Sequence, residues 1–373
     1  MISSAAEGGG QAAALDRVRS AADRLCTYPF AVWHYGDSIG FEGLLAATDL
    51  LREARYEGFV HGAVKAWIPR ARPYREIDNT APGYALCLLY ERTGDEAVLE
   101  ACLELSEFLM SRRTLEGVYV AFERAPLRAA YSEATLPPAE LALIDEPGAG
   151  IFVDCLHFDA PFLVKLGRVA NDERLVETGV GQALALTAVL QHPDGLFAHF
   201  FLERTRQTYG HGWGRGQGWA LLGLLDVLEH LPKGHPAEGT LRAALLRLVG
   251  ALLRTQEPDG HWPTPIADRT SFHETTTASF AAAGLAGGVA LGLLDASVSA
   301  VAERAWKASL ASVCDDGSTV GVSAALWACT APSHYAAAPV GFQVPWGAGP
   351  FLVAARAHLV NDAPSSLNTR LLH

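Results

Sequence analysis

Hydrophobic residues recur at helical spacing along most of the chain. One segment carries a stripe that consists of Leu221, Leu224, Leu225, Leu228 and Leu231. Two further stripes consist of Val98, Leu99, Cys102, Leu105, Phe108 and Leu109, and of Leu241, Leu245, Leu248 and Leu252. Positions three and four apart lie on one face of an α-helix, so these patterns predict amphipathic helices. Runs in which apolar and polar residues alternate are scarce. The sequence therefore predicts an all-α fold.

A short turn that ends in glycine follows several of the predicted helices. The five copies are Tyr56-Glu-Gly58, Thr114-Leu-Glu-Gly117, His192-Pro-Asp-Gly195, Glu257-Pro-Asp-Gly260 and Asp315-Asp-Gly317. Proline and glycine at such positions end helices and form turns. Five turns predict five or six helical hairpins, which stack into an open solenoid or close into a toroid. Because no polar capping repeat is present, we expect a closed toroid.

The toroid is expected to form a single domain over residues 12–362. Residues 1–11 are predicted to be a disordered tail, and residues 363–373 a C-terminal tail. An irregular insert at residues 123–150 contains four prolines. We expect this insert to form a flap or a rim loop.

Charge and cysteine usage restrict the classes of function. The net charge of −12 argues against binding to nucleic acids or acidic membranes, which requires a positive surface. The six cysteines form no CxxC pair, so reduced thiols are expected. No signal peptide is visible, and the longest apolar run, residues 280–294, is too short to span a bilayer. We expect a soluble cytoplasmic protein, a monomer or a homodimer.

The segment His211-Gly-Trp-Gly-Arg-Gly-Gln-Gly-Trp219 is the most unusual part of the sequence. Four glycines at alternate positions predict an irregular backbone, followed by a helix from Ala220. Trp213 and Trp219 offer flat apolar faces, and Arg215 offers a forked donor for a carboxylate. The segment favours a pocket for a sugar acid. The alternative is a glycine-rich turn whose tryptophans belong to the core.

Two aspartates are candidate catalytic groups. Asp154 lies between Val153 and Cys155 in an apolar segment, where poor solvation would raise the pKa of its carboxyl group, as a general acid requires. The alternative is a helix cap, a position that suits Asp159 better. Asp78 is the second candidate, and capping of the following helix competes equally with a catalytic role.

Further polar residues lie in aromatic surroundings. His199 lies between aromatic residues after a turn, where a structural histidine is the more common case. His34 and Tyr35 form an aromatic and polar patch that suits a subsite wall. The histidines are scattered without metal-ligand spacing, and the glycine-rich segment does not follow a strand, so neither a metal nor a nucleotide is expected.

Taken together, these motifs resemble a known family. The quoted segments are Trp33-His-Tyr35, Ile77-Asp-Asn-Thr-Ala-Pro-Gly83, Glu91-Arg-Thr-Gly-Asp95, Val153-Asp154, Pro161-Phe-Leu163, Pro193-Asp-Gly-Leu196, Trp213-Gly-Arg-Gly-Gln-Gly-Trp219, His273-Glu-Thr-Thr-Thr-Ala278 and Trp346-Gly-Ala-Gly-Pro-Phe351. In this order they resemble the unsaturated glucuronyl and rhamnogalacturonyl hydrolases of glycoside hydrolase families 88 and 105. The resemblance covers most of the chain and implies an (α/α)6 barrel.

The resemblance also implies a reaction and roles for the site residues. Such hydrolases remove a 4,5-unsaturated uronic acid from lyase-generated oligosaccharides by hydrating its C4=C5 bond, without a cofactor. By its match to the family's catalytic aspartate, Asp154 would donate the proton and then activate water, and Asp78 would orient or tune it. The residues that would line the −1 site are His199, Trp213, Arg215 and Trp219. Arg215 is expected to help neutralise the substrate carboxylate.

Two alternatives from other classes stay open at this point. An (α/α)6 sugar epimerase would need paired histidines at the barrel mouth. A non-catalytic sugar-binding barrel would have Asp154 pointing away from the pocket. The sequence does not identify the aglycone sugar.

Overall fold

The computed structural model describes residues 3–70, 81–128, 131, 135–326 and 328–360, with side chains from residue 10 onward. The helices are α1 (Ser3–Leu25), α2 (Tyr35–Leu51), α3 (Arg55–Trp67), α4 (Gly83–Thr93), α5 (Glu96–Met110), α6 (Pro138–Asp145), α7 (Cys155–Phe158), α8 (Ala160–Ala170), α9 (Glu173–Leu190), α10 (Gly214–His230), α11 (Glu238–Thr255), α12 (Thr275–Ala290), α13 (Ser299–Ala311), α14 (Ser333–Ala336) and α15 (Pro345–Leu359). The strands are β1 (Thr114–Leu115), β2 (Val118–Tyr119), β3 (Gly150–Phe152), β4 (Phe200–Leu202) and β5 (Gln207–Tyr209). The fold is mostly helical, which confirms the predicted class.

Six of the helices contact one another in a closed order. The order is α2, α4, α8, α10, α12 and α15, and α15 contacts α2 again. At this last contact, a Cβ atom on Gly43 would lie 2.8 Å from the Cα atom of Gly349. The two helices therefore approach closely because both lack a side chain at the contact. The helices α1, α3, α5, α9, α11 and α13 each contact members of this set.

The predicted glycine turns link these helices. Gly195, Gly260 and Gly317 have φ angles of 98°, 93° and 79°, which favour glycine. A Cβ atom on each would collide with a backbone carbonyl of another helix, namely those of Arg247 in α11, Arg304 in α13 and Ser20 in α1. The turn at Gly117 also has a positive φ. The turn predicted at Tyr56-Glu-Gly58 is wrong, because these three residues lie inside α3.

Two small antiparallel sheets were not predicted from the sequence. One pairs β1 with β2, and the other has the order β3-β4-β5. Their strands are two or three residues long. Strands this short are below the length at which alternation becomes visible in a sequence.

The predicted boundaries differ from the structure at the N-terminus. Helix α1 begins at Ser3 and includes most of residues 1–11, for which a disordered tail was expected. Several alanines with high helix propensity flank the three glycines of this segment. The predicted tail at residues 363–373 lies outside the described residues.

Part of the 123–150 insert is ordered against a second loop. It contains α6, and Leu127 forms a β-bridge with Ala328.

All six cysteines are free, and only Cys314 is exposed. In the described ranges, no helix has both the length and the apolar composition that crossing a bilayer requires.

Candidate active site

The β3-β4-β5 sheet brings Asp154 close to His199. Phe152 at the end of β3 pairs with Phe200 at the start of β4, and the Val153 N–H donates to the His199 carbonyl at 2.8 Å. Asp154 therefore follows one strand while His199 precedes its neighbour. Their side chains approach to 3.8 Å between His199 Nε2 and Asp154 Oδ2. This small sheet, rather than a helix face, fixes the geometry of the pair.

Asp154 is a buried carboxyl group at the wall of a cavity. Its side chain is 16% exposed, and Oδ2 has no hydrogen-bond partner among the described residues. Burial raises its pKa to about 6, although a backbone hydrogen bond, Arg215 and His157 act in the opposite direction. Asp154 occupies the N-cap position of α7 but makes no side-chain capping hydrogen bond. Its environment therefore suits proton transfer better than capping.

His199 is held by a tyrosine that the sequence did not reveal. Its Nδ1 lies 2.8 Å from the Tyr335 hydroxyl oxygen, and both side chains are buried. Burial lowers the pKa of His199 well below its usual value, and Arg215 and His334 add to this effect. Burial also raises the pKa of Tyr335 well above its usual value. His199 and Tyr335 are consequently neutral at physiological pH.

Arg215 lines the same cavity but already has an internal counter-ion. Nη1 lies 3.2 Å from Glu274 Oε1 and donates to Ser323 Oγ at 2.9 Å, while Nη2 donates to the Ala324 carbonyl at 3.0 Å. Both side chains of the ion pair are fully buried. The guanidinium carbon lies 5.0 Å from the centre of the Trp213 ring. The predicted partner of the substrate carboxylate is therefore largely neutralised by the protein.

The glycine-rich segment is helical from Gly214, which corrects the predicted irregular backbone. Only Gly212 has a positive φ, of 73°. A Cβ atom on Gly218 would collide with the ring of Phe280 in α12, so the glycine permits close helix packing. Gln217 accepts from the Phe197 N–H at 2.8 Å and donates to its carbonyl at 2.9 Å. The motif thus anchors α10 to the turn that carries His199.

Six of the eight predicted site residues line one cavity. The cavity is lined by His34, Tyr35, Ala121, Phe122, Pro126, Phe152, Asp154, Cys155, Phe158, His199, Trp213, Arg215, Ala325, Leu326 and Ala328. Trp219 does not line it, because it is fully buried against His157, Phe158 and Phe280. Asp78 lies outside the described residues.

Comparison with known proteins shows the family of this chain. Residues 16–359 match Glycosyl Hydrolase Family 88. The chain belongs to Glycosyl Hydrolase Family 88. This family 88 chain is 26% identical over 343 residues to the unsaturated rhamnogalacturonyl hydrolase YesR of Bacillus subtilis, covering 90% of this chain and 92% of that protein. The predicted resemblance and the predicted class of glycoside hydrolase are confirmed.

Solved structures share the fold of this family 88 chain. A possible member of family GH105 from Salmonella enterica superposes with a TM-score of 0.80 at 18% identity, over 92% of each chain. An unsaturated glucuronyl hydrolase responsible for glycosaminoglycan degradation, from Bacillus sp. GL1, superposes with a TM-score of 0.68 at 18% identity, over 92% of this chain and 95% of that chain. At these identities the likeness concerns the fold.

Three residues that contact the cavity lining of this family 88 chain carry no role in the sequence-based prediction. They are Tyr335, Glu274 and Trp346. Trp346 stacks on Tyr35 with ring centres 4.9 Å apart and donates to the Ser323 carbonyl at 3.1 Å. Trp346 and Glu274 lie in motifs that were recognised, but the motifs do not show which side chains they contact. Tyr335 lies in no recognised motif.

One group of side chains in the described residues has the spacing of metal ligands. It consists of Glu257, Asp259 and His273. His273 pairs with both carboxylates, at 2.8 Å through Nε2 and 3.2 Å through Nδ1. None of the three lines the cavity around Asp154. Mutual ion pairs account for this arrangement.

Proposed function

We propose that this family 88 chain removes a 4,5-unsaturated uronic acid from the non-reducing end of lyase-generated oligosaccharides by hydrating the C4=C5 bond. The observation that carries the proposal is Asp154, a carboxyl group with a pKa near 6 on the wall of the cavity. A general acid needs a pKa close to the working pH. Asp154 is also the only acidic residue among the described lining residues.

One carboxyl group is sufficient for this chemistry. Protonated Asp154 gives its proton to C4, which places positive charge on C5 and the ring oxygen. Asp154 is then a carboxylate and takes a proton from the water that adds to C5. The resulting hemiketal opens and releases the aglycone. Because the proton is returned within one cycle, the two-carboxylate spacing of ordinary glycosidases is not required.

His199 supports the carboxylate form of Asp154 in this proposal. With Nδ1 accepting from the Tyr335 hydroxyl, the ring proton lies on Nε2, the atom that faces Asp154 Oδ2 at 3.8 Å. The opposite tautomer would place a nitrogen lone pair against the carboxylate oxygens. A shortening of this contact during the reaction would stabilise the anion that forms after protonation of C4.

Helix N-termini supply a favourable field for the substrate carboxylate. Tyr35 begins α2, Arg215 lies in the first turn of α10, and Trp346 lies in the first turn of α15. The partial positive charge at these ends compensates for the neutralisation of Arg215 by Glu274. The closed contact order of the six helices supports the finer prediction of an (α/α)6 barrel with this cavity at one mouth.

The apolar part of the cavity lining favours an aglycone with an apolar face. It includes Phe122, Pro126, Ala325, Leu326 and Ala328. A 6-deoxy sugar such as rhamnose presents a methyl group to such a surface, whereas an amino sugar presents polar groups. The cytoplasmic location and the monomeric or homodimeric state predicted from the sequence form part of the same proposal.

Incubation with lyase-generated disaccharides tests this function. The expected result is a loss of the ultraviolet absorbance of the conjugated enol ether, together with release of the aglycone, faster for rhamnose than for an N-acetyl amino sugar. An epimerase would release no aglycone, and a non-catalytic barrel would bind without turnover. Either of those results would reject the proposal.

A further inference from the structure

We infer that Glu274 is a positioning residue that, by holding and neutralising Arg215, sets the electrostatic field that the cavity presents to Asp154. This inference rests on the proposed hydration reaction and concerns a residue that does not line the cavity. It follows from a buried ion pair between Glu274, which precedes α12, and Arg215 in the first turn of α10, which lines the cavity.

Glu274 connects three segments from a fully buried position. It immediately precedes α12 and is 0% exposed. Oε1 accepts from Arg215 Nη1 at 3.2 Å and from the Ser323 N–H at 3.1 Å, and Oε2 accepts from the Thr276 hydroxyl. Glu274 is therefore the buried counter-ion of Arg215 and also anchors Ser323.

Arg215 is the residue through which the charge of Glu274 affects the cavity. Its guanidinium lies near the rings of Trp213 and Trp346, at 5.0 and 5.7 Å from their centres. The rings and the bond to the Ala324 carbonyl prevent the side chain from turning towards solvent. Arg215 and Asp154 line the same cavity, and Arg215 lowers the pKa of Asp154 against the larger opposite effect of burial. The net strength of this cation depends on its counter-ion.

Other ionisable groups lie near Asp154 or contact its neighbours, and they contribute to the electrostatic field at its carboxyl group together with Arg215. Those described are His34 and Glu42 from the α2 region, His157 from α7, His199 beside β4, Asp226 from α10, and His334 and Tyr335 from α14. His157 lies between Glu42 and Asp226, at 3.2 and 3.9 Å. The hydrogen bonds of Glu274 join it to Arg215, Ser323 and Thr276, so substituting it changes the field at Asp154 chiefly through Arg215.

The test is the pH dependence of kcat in a Glu274→Gln variant. Glutamine keeps the size of the side chain but removes the charge that neutralises Arg215. A stronger cation beside Asp154 should shift the alkaline limb of the profile by about one unit to lower pH. Glu274→Asp retains the charge and should return the limb towards the wild-type position. Ser323→Ala removes one hydrogen bond to Arg215 without a charge change, so its limb should not move.

A double variant covers the case in which Glu274→Gln does not fold. Removing one partner of a buried ion pair is strongly destabilising, whereas replacing both partners is often tolerated. Arg215→Met with Glu274→Gln removes both charges and should shift the alkaline limb to higher pH than in the wild type. An unmoved limb in the folded single variant or in the double variant would overturn the inference. A wild-type protein that leaves unsaturated disaccharides intact would instead reject the proposed function itself.

Discussion

Replacing Asp154 with asparagine should separate catalysis from stability. Asparagine has nearly the same shape but cannot donate a proton to carbon or take one from water. A positioned acid–base group contributes at least ~10²-fold to the rate, so kcat should fall by at least that factor, or about 2.7 kcal/mol. The aromatic residues that line the cavity are unchanged, so KM should change by less than about threefold.

The same change should make the protein more stable at alkaline pH. The folded-state pKa of Asp154 is about 6, above the ordinary value of 3.8 for an aspartate. The folded protein therefore binds this proton more tightly than the unfolded chain, and stability is lost as pH rises between those two values. The difference between those two pKa values corresponds to at most ~3 kcal/mol of unfolding free energy, which the asparagine variant does not lose. Its advantage should be present at about pH 8 and absent at about pH 4.

Two assays decide the matter. Loss of the enol-ether absorbance gives kcat and KM, and urea denaturation at the two pH values gives the free energy of unfolding. Wild-type enzyme on the same substrate is the control. An asparagine variant with near-wild-type turnover would refute the role of Asp154. A variant that is less stable than the wild type at alkaline pH would refute the assignment of a buried, raised-pKa carboxyl group.

Three further substitutions test the surroundings of the site. Tyr335→Phe removes the hydrogen bond to His199 Nδ1, so kcat measured by the absorbance assay should fall about tenfold with little change in KM, and an unchanged kcat would count against the assigned tautomer. Arg215→Lys keeps the charge but loses the forked guanidinium that donates to Ser323 Oγ and the Ala324 carbonyl. A higher KM and a lower Tm are therefore expected. Unchanged values would contradict a role for Arg215 in substrate binding and in stability. Gly218→Ala forces a methyl group against Phe280 and should cost ~1–3 kcal/mol of unfolding free energy. Gly287→Ala is the control, because a Cβ atom added there would have no neighbour within 4 Å outside its own stretch of helix, and it should not destabilise the protein.

Much of the fold could be predicted because it depends on local patterns. The helical stripes and the turns at Gly195 and Gly260 are visible within a few consecutive residues, and the structure confirms them. The glycine-rich segment was misread for the opposite reason. Glycine disfavours an isolated helix, but here its missing Cβ permits close packing of α10 on α12. That benefit depends on Phe280, which is distant in the sequence.

The candidate site shows the same division. The apolar neighbours of Asp154 in the sequence were sufficient to predict a raised pKa. The counter-ion of Arg215 could not be predicted, because Glu274 lies 59 positions away and only the fold brings them together. Tyr335 lies 136 positions from His199. Trp219 belongs to the same motif as Trp213 but is buried in the core, since it lies within α10 whereas Trp213 precedes that helix.

The central claim is that water adds to the C4=C5 bond rather than to the glycosidic carbon. The most direct measurement follows aglycone release and loss of ultraviolet absorbance together in D2O, with mass analysis of the released uronic acid. Hydration predicts equal initial rates for both signals and one deuterium at C4. Aglycone release that precedes the loss of absorbance, without deuterium at C4, would contradict the account.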